Sequence, residues 1–206
     1  MYFSEESYEN GVYTCACNEE CKCKPQDFYR QFILTNAMRL AWEQHVYWTR
    51  LFLISTAERL NDLNDTTARL MQNPKDIAKV FAPYYPAEIT DKMTKLITEH
   101  LQIGGALITA LRDKKTAEAE ELNRRWYANA NEMARFFASI NPHYKLNEMQ
   151  EMFKKHLDLT TSEVSARLAR RYKDDIEAFG KVEQEALMMA DYFSQGIMLE
   201  FPHKFV

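Results

Sequence analysis

From Gln26 to Leu199, apolar residues recur at alternating intervals of three and four, the spacing that stacks side chains along one face of an α-helix. The first stripe is Leu34, Met38, Ala41, His45, Trp48, Phe52 and Ser55, and the second is Ile89, Met93, Leu96, His100, Ile103 and Leu107. A third reads Leu122, Trp126, Asn129, Met133, Phe136 and Ile140. The last reads Tyr172, Ile176, Phe179, Glu183, Ala186, Ala190, Phe193 and Ile197. Five glycines and six prolines in 206 residues are too few to turn the chain of a many-stranded β protein. The expectation is an all-α fold, an antiparallel four-helix bundle with extra short helices, occupying residues 26–206 as one domain.

Punctuation places the boundaries. Long helices are expected over about 27–60, 87–112 and 116–140, with Asn61 to Asp65, Lys114-Lys115 and Asn141-Pro142 as breaks. Short helices fall near 66–72 and 147–157. Thr160-x-x-Glu163 has the form of a capping box and predicts the start of a last helix that runs to about Leu199, before Pro202. Residues 1–25 differ in composition, with Tyr, Glu and Asn around clustered cysteines, and read as a Cys-rich N-terminal appendage.

The net charge of −4, with both signs interspersed, argues against a nucleic-acid partner. The one dense basic cluster, Arg167, Arg170, Arg171 and Lys173, adjoins Asp174 and Asp175 and reads as a solvated helix face. No stretch approaches the ~18 uncharged apolar residues of a membrane span, and Met1 to Glu9 lacks the apolar run of a secretory signal. A cytoplasmic protein without a membrane partner is expected. An apolar helix face left over could make it a homo-oligomer, which periodicity does not separate from core.

Each of the four long stripes carries one polar residue in its middle: His45, His100, Asn129 and Glu183. Counted from the Lys114 turn, His100 and Asn129 lie at nearly equal heights in a helical hairpin, each residue rising ~1.5 Å. His45 falls near the same level. Asp191 is an alternative carboxylate, and His156 can cap the same cavity. Such a layer can satisfy itself as a hydrogen-bonded network, or it can take a divalent metal, Zn, Fe or Mn, or a small-molecule ligand. His45, His100 and Glu183 are the candidate metal ligands; Asn129, His156 and Asp191 are candidates for supporting contacts or for cofactor binding. Paired Glu-x-x-His motifs, His-Glu-x-x-His and a Gly-rich phosphate loop are all absent from the sequence. Gly104-Gly105 reads as a point of close helix packing beside His100. Trp42, Tyr47, Trp48, Trp126, Phe136, Phe137, Met149, Met152 and Met188-Met189 read as core.

The four cysteines, Cys15, Cys17, Cys21 and Cys23, fall within nine residues. In a reducing compartment such clustering points to metal, and four thiolates suit Zn²⁺ or Cu(I). The x₁–x₃–x₁ spacing departs from the paired Cys-x-x-Cys of zinc modules, so a redox-active or crosslinking tail is the other reading.

Residues 30–206 resemble a family of uncharacterised all-helical proteins of the Firmicutes type. The resemblance is carried by Trp42-Glu43-Gln44-His45-Val46 with Trp48-Thr49-Arg50, Arg69 with Asn73-Pro74 and Asp76, Thr98-Glu99-His100, and Trp126 with Asn129-Ala130. His156-Leu157 with Leu159-Thr160, Ala190-Asp191, Gly196-Ile197, Phe201-Pro202 and Phe205 extend it. It implies a fold and no activity, and it draws attention to His45, His100, Asn129 and His156. A looser analogy links the chain to metal-dependent bundles of the DinB type, which carry three histidines on separate helices. Two functional expectations result. One is a metal- or small-ligand-binding bundle. The other is a non-enzymatic structural or interaction protein, of a sporulation-related kind, whose Cys head binds metal or crosslinks.

Overall fold

The computed structural model describes Pro25–Val206, with side chains from Phe28 onward, and all regular structure among these residues is helical. The elements are α1 (Pro25–Glu58), α2 (Leu63–Leu70), α3 (Asn73–Phe81), α4 (Ala87–Arg112), α5 (Thr116–Ile140), α6 (Leu146–Leu168) and α7 (Tyr172–Glu200), followed by a 3-10 turn, Pro202–Lys204. The cysteine head lies outside the described residues. Among the described residues, no helix is long and apolar enough to cross a membrane.

α4 and α5 occupy the spans that the stripes predict. The end of the chain does not. α6 continues without a break from Leu146 to Leu168, so five helices exceed twenty residues where four were expected. The Thr160-x-x-Glu163 signal is therefore not a cap. The Thr160 hydroxyl donates to the His156 carbonyl one turn back, at 2.8 Å, and Glu163 accepts from Arg50.

Three helices end in the same way. Arg59, Lys114 and Arg170 take positive φ of 54°, 58° and 57°, and the amide that follows each donates to the carbonyl five residues back. This is the Schellman closure, which usually recruits glycine because a side chain in the left-handed region costs ~1 kcal/mol or more. Here arginine and lysine accept that cost, which is one reason glycine is so scarce.

α4 packs on α5, α5 on α6, α6 on α7 and α7 on α1, while α1 also touches α4 and α6. α3 lies against α1 and α4. The core runs through Met38, Phe81, Met93, Phe137, Leu157, Met189, Phe193 and Ile197, each at most 2% exposed. On α7 the inward face follows Asp175, Val182, Ala186, Met189 and Phe193. The stripe read from the sequence is one residue off in the first half of α7, with Ile176 for Asp175 and Glu183 for Val182, a rotation of about 100° on a helix, whereas its Ala186, Ala190, Phe193 and Ile197 lie in the core. Tyr172 and Ile176 consequently face solvent, and so do Tyr47 and Met188, which had read as core.

Two glycines of α7 give opposite expectations. A Cβ on Gly196 would lie 2.0 Å from Tyr144 Cε1, and Tyr144 is buried with its hydroxyl donating to the Phe193 carbonyl at 2.8 Å. The ring cannot swing away, so Gly196→Ala is expected to cost about 3 kcal/mol. A Cβ on Gly180 meets nothing within 4 Å, so Gly180→Ala should stabilise the protein by about 1 kcal/mol through helix propensity. Urea denaturation of the two variants checks both signs.

Candidate functional site

Three imidazoles meet in the middle of the helical core. His45 comes from α1, His100 from α4 and His156 from α6, and they are 6%, 5% and 5% exposed. The His45 and His156 rings lie 5.8 Å apart. All three line two small cavities of about 30 and 20 Å³, each with room for one water-sized occupant. Trp42 meets His45 edge-on at 5.8 Å, and Trp126 stacks on His100 at 5.3 Å.

Two asparagines hold two of the rings. Asn73 donates from Nδ2 to the Ala41 carbonyl at 3.1 Å, leaving its Oδ1 as an acceptor 2.9 Å from His45 Nδ1. Asn129 does the same on the other side: Nδ2 donates to the Leu96 carbonyl at 3.3 Å, and Oδ1 lies 2.8 Å from His100 Nδ1. An amide oxygen can only accept, so in both rings Nδ1 carries the proton and Nε2 keeps its lone pair. His156 Nδ1 has no hydrogen-bond partner among the described residues.

Burial keeps the imidazoles uncharged. It pushes His100 down to about 3 and His45 in the same direction, each only partly offset by its asparagine. His156 is driven well below the ordinary histidine value, first by burial and then by repulsion from the other two rings. At neutral pH the site is therefore a set of neutral nitrogen bases in a dry surround.

A carboxylate shares the cavity wall. Glu163 of α6, 2% exposed, accepts from Arg50 Nη1 at 2.6 Å. Arg50 also spans Asp175 of α7, which is fully buried, at 2.7 and 3.2 Å. Burial raises Glu163 to about 7, more than Arg50 lowers it, and repulsion from Asp175 adds to the rise. Near neutrality Glu163 can therefore hold or release a proton beside the imidazoles.

The sequence-derived candidates separate clearly against this geometry. His45, His100 and Asn129 come together as expected. His156, expected as a cap or a supporting contact, is a full member of the cluster. Glu183 is not: it lies outside the cavity and accepts from Tyr47 at 2.7 Å on the outer side of α7, because Val182 takes the inward position. Asp191 is likewise outside, in a bidentate pair with Arg39 at 2.7 and 2.6 Å. Asn73 and Glu163 were not among the expected site residues, Asn73 having entered through the resemblance and Glu163 as part of a helix cap. Cys15, Cys17, Cys21 and Cys23 lie outside the described residues.

Gly104 provides the close packing expected of it, since a Cβ there would come within 3.1 Å of Trp126 Nε1. Among the described residues, no group of three or more His, Cys, Asp or Glu side chains is drawn together tightly enough to hold a metal ion. No family model matches the chain, and neither does any curated protein or solved structure.

Proposed function

We propose that the chain is a ligand-binding helical bundle whose core takes one divalent metal ion, Zn, Fe or Mn, on His45, His100 and His156. The observation that carries this reading is the pair of asparagine clamps. Nδ1–H held on an oxygen, with Nε2 left free, is the arrangement that orients metal-ligating histidines and raises their basicity. Neutral imidazoles need shed no proton to bind, and borderline divalent ions suit them. His45, His100 and His156 would hold the ion, which would supply Lewis acidity there, and Glu163 on the same cavity wall would be the neighbouring proton acceptor. On this reading His45 of α1, His100 of α4, Asn129 of α5 and His156 of α6 make the polar layer, whereas the stripes had put its fourth member, Glu183, on the helix that is α7.

The competing reading is a structural polar layer in a non-enzymatic protein whose cysteine head binds any metal or crosslinks. It is favoured by the lack of a preformed metal-binding group among the described residues. Elemental analysis of anaerobically purified full-length chain decides between them. About one ion per chain is expected, retained when all four cysteines become serine and lost in the His45→Ala/His100→Ala double variant. Asn129→Leu should weaken binding roughly 10–100-fold by freeing the His100 ring. Metal that disappears with the cysteines and survives the double histidine change would overturn the bundle site.

A further inference from the structure

A second, much larger cavity of about 630 Å³ lies between α4, α5 and α6, within the size range of small-molecule sites. Its walls are mostly apolar, with Leu107, Ile108, Ala119 and Val164 among them. It reaches from the α4–α5 turn to Gly104 and Trp126, and those two residues with Ile108 also line the imidazole cavity. The Gly104–Trp126 contact is thus a partition one side chain thick between a roomy apolar chamber and a polar space large enough for one water.

Trp126 is 7% exposed, and its Nε1 finds no acceptor among the described residues. A buried indole N–H without a partner is uncommon, and burial makes it costly. Thr161 Oγ1, which lines the same cavity, is likewise buried without a hydrogen-bond partner among the described residues. The wall therefore offers an indole donor and a hydroxyl to whatever reaches it, and the chamber offers apolar surface behind. A carboxylate head group does not fit this pattern, because its charge would be buried against neutral groups, with Lys114 and Lys115 at the opposite end of the cavity. A hydroxyl fits, since it accepts from Trp126 and donates to Thr161 Oγ1.

We propose that the chamber between α4, α5 and α6 binds a neutral amphiphile of medium chain length, hydroxyl end inward at Trp126 and hydrocarbon filling the cavity. The lysines at the mouth, Lys114 and Lys115, then face the trailing end and take no part in recognition. This binding does not depend on a metal being present.

Titration calorimetry of the full-length chain with 1-octanol tests the proposal, with n-octane measured by competition against it. Octanol is expected to bind once per chain. Trp126→Phe keeps the ring and removes the donor, so octanol should weaken about tenfold while octane is unchanged. Ser165→Trp, at an exposed position on the cavity rim, should abolish binding of both without disturbing the core. Failure of octanol to saturate, equal weakening of both probes by Trp126→Phe, or octanoate binding more tightly than octanol would each overturn it. A chain that carries metal and binds no octanol sinks this inference alone. One that binds octanol and holds no metal sinks only the metal reading.

Discussion

Stability is expected to fall as the pH drops below 6.5, and to fall more steeply once it passes 4.5. Two kinds of buried group titrate in opposite senses. The histidines have folded values below their unfolded value of 6.5, so below that pH the unfolded chain takes up protons that the folded chain refuses. For His100, which stays neutral down to about 3, this removes about 3 kcal/mol between pH 6.5 and 4.5. Glu163 runs the other way. Its folded value of about 7 exceeds its unfolded 4.5, so acidification through that window favours the folded state, by a similar amount. Glu163 thus offsets roughly one histidine until it is fully protonated in both states, and His45 and His156 are left unopposed.

Below 4.5 nothing opposes the imidazoles, and the slope increases. In Glu163→Gln the offset is absent, so the decline should be steep from pH 6.5 onward and the variant should gain stability relative to the parent at pH 7. Guanidinium denaturation of both proteins at pH 7, 5.5, 4.5 and 3.5 reads this directly. Parallel profiles would mean that Glu163 does not carry a raised pKa.

The fold class and half of the site are legible in the sequence because both rest on local periodicity. His100 and Asn129 could be matched in height because a three-residue turn joins α4 to α5, and a short hairpin leaves no freedom of register. Glu183 failed for the converse reason. α7 begins after a left-handed Arg170 that carries neither a Gly nor a Pro signal, so the break at 169–171 was invisible and α6 merged into its neighbour. With the helix start misplaced, the apolar residues Tyr172, Ile176 and Phe179 set a phase that puts Glu183 inward. Burial of Asp175 against Arg50, a contact 125 residues apart in sequence, sets the true phase. His156 was visible as a residue, but its stripe had been cut in two by a capping box that the helix does not use. Asn73 could have been found only by asking which side chain turns His45 toward the cavity. That partner comes from α3, a nine-residue helix with no place in a four-stripe scheme.

Arg50→Met is expected to be among the most damaging single changes in the molecule, at about 3–5 kcal/mol near neutral pH. Arg50 is the shared counterion of Glu163 and Asp175, which are 2% and 0% exposed. Removing one member of a buried ion network strands the others, and that costs far more than a pair is worth in water. Arg167, 3.4 Å from Asp175 and also engaged with Glu58, gives partial cover to one carboxylate only. The guanidinium lies over the Phe179 ring at 4.7 Å as well, so methionine keeps some packing while losing every charged contact. Two features separate this mechanism from simple loss of volume. The cost should shrink as the pH falls from 9 toward 7, because a Glu163 stripped of the guanidinium that lowers it takes up its proton at a higher pH than in the parent. It should also shrink in the Arg50→Met/Glu163→Gln double variant, with a coupling energy of at least 1 kcal/mol in a double-mutant cycle. A cost independent of pH, with strictly additive singles, would reduce Arg50 to a packing residue. It would also detach Glu163 from any proton-accepting role beside the imidazoles.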